Sequence, residues 1–135
     1  AVGLLELMEA GAADFTLAFR RLSDALRGKP TPFQAQFEDP QSVQEWLARW
    51  QARGAREADA PDARATAMDR TNPVYIPRNH KVEEALEAAV DAEDLAPFER
   101  LLDVVTRPYQ PIPDADDYAK PTPPGGEPYQ TFCGT

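Results

Sequence analysis

The chain of 135 residues has one cysteine, one histidine and few cationic side chains. A lone Cys133 rules out a disulfide within the chain and fits a reducing compartment, so a cytoplasmic protein is the expectation. His80, the single histidine, finds no partners spaced as in a hydrolytic triad. Against 23 Asp and Glu stand only 14 Lys and Arg, a net charge of -9. Such a surface repels nucleic-acid phosphates and anionic membranes, so neither is an expected partner. No apolar run approaches the roughly 20 residues of a membrane span, and no signal peptide stands out. A Gly-rich phosphate loop is also missing. Gly125-Gly126 lies between prolines rather than between a strand and a helix. No segment alternates as a strand would, and no repeat of fixed period occurs. A helical pattern is already under way by Leu4, which suggests a piece of a longer protein.

What is present is helical periodicity. Leu4, Leu5, Leu7 and Met8 read as a helix ending near Gly11. Asp14 suits an N-cap, and Phe15, Phe19, Leu22 and Leu26 form a stripe at i, i+4, i+7, i+11. Gly28, Pro30 and Pro32 end that helix. The loop 29–38 carries Phe33 and Phe37, expected against the core. Asp39-Pro40 reads as an N-cap followed by Pro at the first helical position. Val43, Trp46, Leu47 and Trp50 then share one face, and Trp46 and Trp50 are expected to be at least partly buried and to anchor their helix. Burying both would be worth several kcal/mol at ~25 cal/mol per Å². The helix ends near Gly54. Pro61 reads as a breaker and residues 65–68 as a short helical turn leading into Asn72-Pro73.

Two amphipathic patterns follow. Val82, Ala85, Leu86, Ala89 and Val90 make one helix face; Leu95, Phe98, Leu101, Leu102 and Val105 make a second. The short separation predicts a helical hairpin, with Asp94 as N-cap and Pro97 in the first turn. Past Arg107 periodicity stops and half of the 14 prolines accumulate. This predicts an extended tail, ordered only where something holds it. Its aromatics Tyr129 and Phe132 suggest docking. The expected fold is therefore all-α, about five helices over residues 1–107 ending in the hairpin, then an extended Pro/Gly-rich tail over 108–135.

Chemistry is sparse. His80, Glu83, Glu84 and Glu87 share a helix side and could hold a cation weakly, but read better as a solvated charged face. Asp114-Ala-Asp-Asp117 lacks the Gly at position 6 and the Glu at position 12 of a calcium loop. Neither carries a metal site. Arg78 offers a rigid donor fork and Asn79 a possible cap; an interhelical salt bridge plus a helix cap is the preferred reading. Cys133 has no cationic neighbour in sequence to lower its pKa and reads, on residues alone, as an idle tail thiol.

The segments NPVYIPRNH, EEALEAAV, DLAPFERLLDVV and RPY, between Asn72 and Tyr109, resemble the C-terminal region of the selenoprotein O family. LLELMEAGAADFTLAFRRLS (Leu4 to Ser23) resembles a segment upstream in that region, and Tyr118-Ala-Lys-Pro121 and a Cys third from the end resemble its tail. The resemblance implies a longer protein with a kinase-like fold, related to pseudokinases. Such a protein binds ATP with Mg or Mn and transfers AMP to hydroxyl side chains of proteins. It places the ATP- and metal-binding residues in an upstream body, so it implies no catalytic residue and no cofactor site in this chain. That body is the implied partner, along with the protein substrates of the whole enzyme. One position carries over: Cys133 matches the family's redox-active terminal Cys or selenocysteine. Pro77, His80, Ala92 and the ending Cys-Gly-Thr depart from the common family pattern. Pro77 delays the helix start, and Ala92 stands where Gly is common in the hairpin turn.

Two readings follow: the C-terminal helical portion of a protein adenylyltransferase, inactive by itself, or a self-standing acidic helical module that grips a protein partner.

Overall fold

A computed structural model of the chain describes residues 3–125. Among these the regular structure is helical throughout: α1 (Leu4–Ala10), α2 (Phe15–Leu26), α3 (Thr31–Gln34), α4 (Gln44–Gly54), α5 (Pro61–Thr71), α6 (Asn79–Asp91), α7 (Ala96–Val105) and α8 (Asp116–Ala119). The all-α expectation holds. Eight helices stand where about five were expected, because α3 and α8 are single turns in segments read as loop and tail. The chain forms two compact units, Ala1–Val74 and Tyr75–Thr135, dividing inside the stretch 1–107 that the sequence suggests as one body.

The first unit is built on α2. Asp14 caps it by accepting a hydrogen bond from the Leu17 amide. Gly28, at φ 79°, closes it: its N–H reaches the Ala25 carbonyl and that of Lys29 the Asp24 carbonyl, the paired bonds of a Schellman cap. The expected stripe is rotated. Leu22 is buried, but Phe15 is largely exposed, and Leu17, Ala18 and Ala25 face inward instead. Small residues at 18 and 25 allow other elements to approach closely. The core joins Met8, Ala18, Leu22 and Ala25 to Phe33, Phe37, Val43 and Leu47. Phe33 and Phe37, expected to tuck in, are both buried, with ring centres 5.2 Å apart edge to face.

Asp39-Pro40 does not start α4. Asp39 instead holds a turn, its carboxylate accepting from the Gln41 amide and its carbonyl from Ser42. The helix starts at Gln44. Trp46 and Trp50 are half-buried, with rings stacked at 5.9 Å and Trp46 6.0 Å from Phe33. Pro61, read as a breaker, is the first residue of α5, where its missing N–H costs nothing. That helix therefore extends well beyond the expected turn at 65–68.

A polar network ties α2 to α5. The buried Arg20 donates through Nη1 to the Asp69 carbonyl (2.7 Å) and the Asn72 carbonyl (3.0 Å). The Asp69 carboxylate accepts from the Ser23 hydroxyl and pairs with Arg27 at 2.8 Å and Arg20 at 3.6 Å. Desolvation alone would raise the Asp69 pKa. The hydrogen bonds from Ser23 and Arg27 and the charges of Arg20 and Arg27 outweigh it, and the pKa is lowered from 3.8.

The second unit holds the hairpin. Four residues separate α6 from α7. Asp94, expected as the N-cap of α7, stands one residue before it: Leu95 occupies the N-cap position, and the Asp94 carboxylate accepts from the Ala96 amide. The turn that Ala92 put in question is resolved one residue later, where Glu93 takes φ 52°. After Arg107 the chain is mostly irregular but held: Ile112, Ala115 and Ala119 are buried, and α8 interrupts the extended course expected there. Tyr75 does much of the holding. Its ring is buried, its N–H reaches the Pro108 carbonyl, and its hydroxyl accepts from the Ile112 amide at 2.9 Å.

Candidate functional site

The sequence-selected residues fall in three places. Asn72 follows α5 directly. Its carbonyl accepts from Arg20, and its Nδ2 donates to the Phe19 carbonyl at 3.4 Å. It is a structural tie between α2 and the end of α5. Trp46 and Trp50 lie on α4 within the first unit's core. The Trp rings stack on each other and Trp46 lies against Phe33.

Arg78 and Asn79 lie at the start of α6, with Asn79 one residue past the N-cap position. Arg78 occupies the N-cap position with extended backbone, and no side-chain cap bond forms there; Asn79 is already inside the helix. The expected Asn79 cap is therefore absent, because Pro77 keeps the preceding backbone extended and the first helical turn begins right after Arg78. The Arg78 guanidinium donates through Nη2 to the Ala119 carbonyl at 3.0 Å. A cation at the last carbonyl of α8 meets an acceptor that the helix itself leaves unfilled.

Around this point several contacts fix residues 118–122 to the first turn of α6. Lys81 sits 5.3 Å from the Tyr118 ring centre and pairs with Glu84 at 2.9 Å. His80 Nδ1 lies 3.1 Å from the Thr122 hydroxyl. Asp117 and Lys120 pair at 2.8 Å; that hydrogen bond lowers the Asp117 pKa and raises that of Lys120. Both side chains are exposed, and a surface pair of this kind adds little. The arrangement anchors a chain segment. Among the described residues, no three His, Cys, Asp or Glu side chains are grouped to hold a metal ion. Glu83, Glu84 and Glu87 remain solvent-exposed around His80. Also among the described residues, no helix is long and apolar enough to cross a membrane. Cys133, with Tyr129 and Phe132, lies outside the described residues.

Sequence reasoning missed Tyr75, Arg20 and Asp69. Tyr75 sits in the NPVY run without a periodic pattern around it. Arg20 and Asp69 look like ordinary charges of amphipathic helices; their partners lie far away in sequence, 49 residues for Arg20 to the Asp69 carbonyl and 46 for Ser23 to the Asp69 carboxylate.

No family model matches the chain. Individual relatives do. The chain is 49% identical over 136 residues to the protein nucleotidyltransferase YdiU of Bradyrhizobium sp. (strain ORS 278), covering all of this chain and 28% of that protein. It is 50% identical to the protein of the same name from Rhizobium etli (strain CFN 42), over 98% of this chain and 27% of the relative. To that of Maridesulfovibrio salexigens it is 41% identical, with the same shares. The chain thus spans a little over a quarter of the length of these curated relatives. The chain belongs to the selenoprotein O family, the protein nucleotidyltransferases named YdiU, and corresponds to the C-terminal region of its members.

Proposed function

We propose that this chain is the C-terminal helical portion of a protein adenylyltransferase and works only as part of the whole protein. In that protein a hydroxyl oxygen of a protein side chain attacks the α-phosphorus of ATP, the α–β bridging bond breaks, and pyrophosphate leaves. The observation that carries the reading is the match over the full chain to relatives called protein nucleotidyltransferases, of which it is about a quarter. ATP and Mg or Mn do not fit the described residues. The polar groups here are spent on holding α2 to α5 and residues 118–122 to α6, and the carboxylates stand on solvated faces rather than converging. No step of transfer is therefore assigned to a residue of this chain. The upstream body would supply the nucleotide and metal ligands, and the protein substrates would meet it there. A reducing cytoplasmic compartment suits the single thiol.

Within that reading Cys133 is a regulatory thiol. It forms a disulfide with a cysteine of the body by exchange with a low-molecular-weight disulfide, which takes up the two electrons and two protons. The anchoring of residues 118–122 supports it, since it sets a fixed starting point for the last residues of the chain.

The test is transfer from ATP labelled separately at the α- and γ-phosphates. The whole protein should leave label on protein from the α-phosphate only. Label from the γ-phosphate would mean phosphorylation and would overturn the reading.

A further inference from the structure

The α6–α7 hairpin leaves part of its apolar face uncovered. Ala85, Leu101 and Val104 are buried, but Leu86, Phe98 and Leu102 remain 52%, 44% and 50% exposed. These three line an open groove of about 160 Å³ with Val82, Val105 and Pro77. The groove walls present no polar surface, so water inside it has nothing to bond to and is readily displaced. The rim has a sign. Residues 79–107 carry eight carboxylates against three cationic side chains, Lys81, Arg100 and Arg107, and Arg100 and Arg107 are both engaged with Asp103.

We propose that this groove is a docking face for the rest of the full-length polypeptide, and that it receives an apolar ridge flanked by Lys or Arg. The inference rests on the reading of the chain as one portion of a longer nucleotidyltransferase. Two observations select this occupant. Roughly three quarters of the relatives' length lies outside this chain, so a large covalently attached surface is available at high effective concentration. A second copy of this chain is disfavoured, because like faces would bring two acidic hairpins together.

The experiment uses the whole protein with Cys133→Ser and either Leu102→Cys or Leu86→Cys, one on each helix. Maleimide labelling of the introduced thiol is measured natively and in denaturant, after subtracting the parent protein's labelling. A docked face predicts labelling roughly tenfold or more slower in the native protein, since the thiol reacts only through local opening. Native rates within about threefold of the denatured ones at both positions, as half-exposed side chains allow, overturn the proposal. Protection that disappears on dilution means self-association and overturns it too. So does fast labelling that is slowed only by an added cationic amphipathic peptide, which would make the occupant a separate partner. Using two positions guards against a variant that misfolds. The α-phosphate transfer assay on the unsubstituted whole protein tests the underlying reading separately.

Discussion

Replacing Asp69 by Ala probes the tie between α2 and α5. In the native chain the Asp69 carboxylate receives the Ser23 hydroxyl and faces both Arg27 and the buried Arg20. Removing it leaves Arg20 with two backbone carbonyls and no counter-charge. Breaking a fully buried ion pair costs about 3–5 kcal/mol. Two features reduce that figure. Asp69 keeps 23% of its side chain exposed, and the carbonyls still satisfy one guanidinium nitrogen. A loss of about 2–3 kcal/mol is expected. Arg27→Ala should cost less, at most about 1 kcal/mol, because Arg27 lies a third exposed at the surface. The assay is urea denaturation at pH 7. The pH dependence provides a second readout. The Asp69 pKa is lower folded than the ordinary 3.8, so its contribution is complete above that value and lost as pH falls below it toward the folded pKa. Asp69→Asn should remove that acid-limb dependence. A change under about 0.5 kcal/mol for Asp69→Ala, within the range of ordinary surface substitutions, would refute the argument that the network is structural.

Trp46→Ala should cost about 2 kcal/mol in the same titration, below the usual 3–5 for a fully buried aromatic because the ring is only half-buried. Tyr75→Phe removes the acceptor of the Ile112 amide and should cost about 1–2 kcal/mol; hydrogen exchange at that amide should speed up while amides of α2 are unaffected. Cys133→Ser in the whole protein should abolish any difference in adenylylation between oxidising and reducing conditions. An unchanged redox response would mean that Cys133 is an idle thiol.

Periodicity carried the helices and little else. The hairpin, the α2 caps at Asp14 and Gly28, and the inward Phe33 and Phe37 were all legible because each depends on neighbours a few residues away. What was not legible depends on distant partners. The inward face of α2 includes Arg20 and Ser23 because Asp69 and Asn72 sit opposite to receive them, and no local spacing announces that. Phe15 reads as core by spacing alone, yet small residues at 18 and 25 turn the face away from it. Asp39-Pro40 and Pro61 carry the same local chemistry, a possible helix start. Packing around Val43 and Leu47 delays α4, whereas α5 begins at its proline. The segment after Arg107 reads as tail from its prolines, but Tyr75, 37 residues upstream of Ile112, holds it down. The site residues followed the same rule: Asn72 bonds to Arg20 and the Phe19 carbonyl, and Arg78 reaches the Ala119 carbonyl 41 residues away.

The most direct measurement is isothermal titration of this chain with ATP in the presence of Mg²⁺ or Mn²⁺, beside the whole protein under the same conditions. The account predicts binding heat for the whole protein and none for the chain, whose polar groups are committed to its own packing. Micromolar binding of ATP to the chain by itself would contradict it.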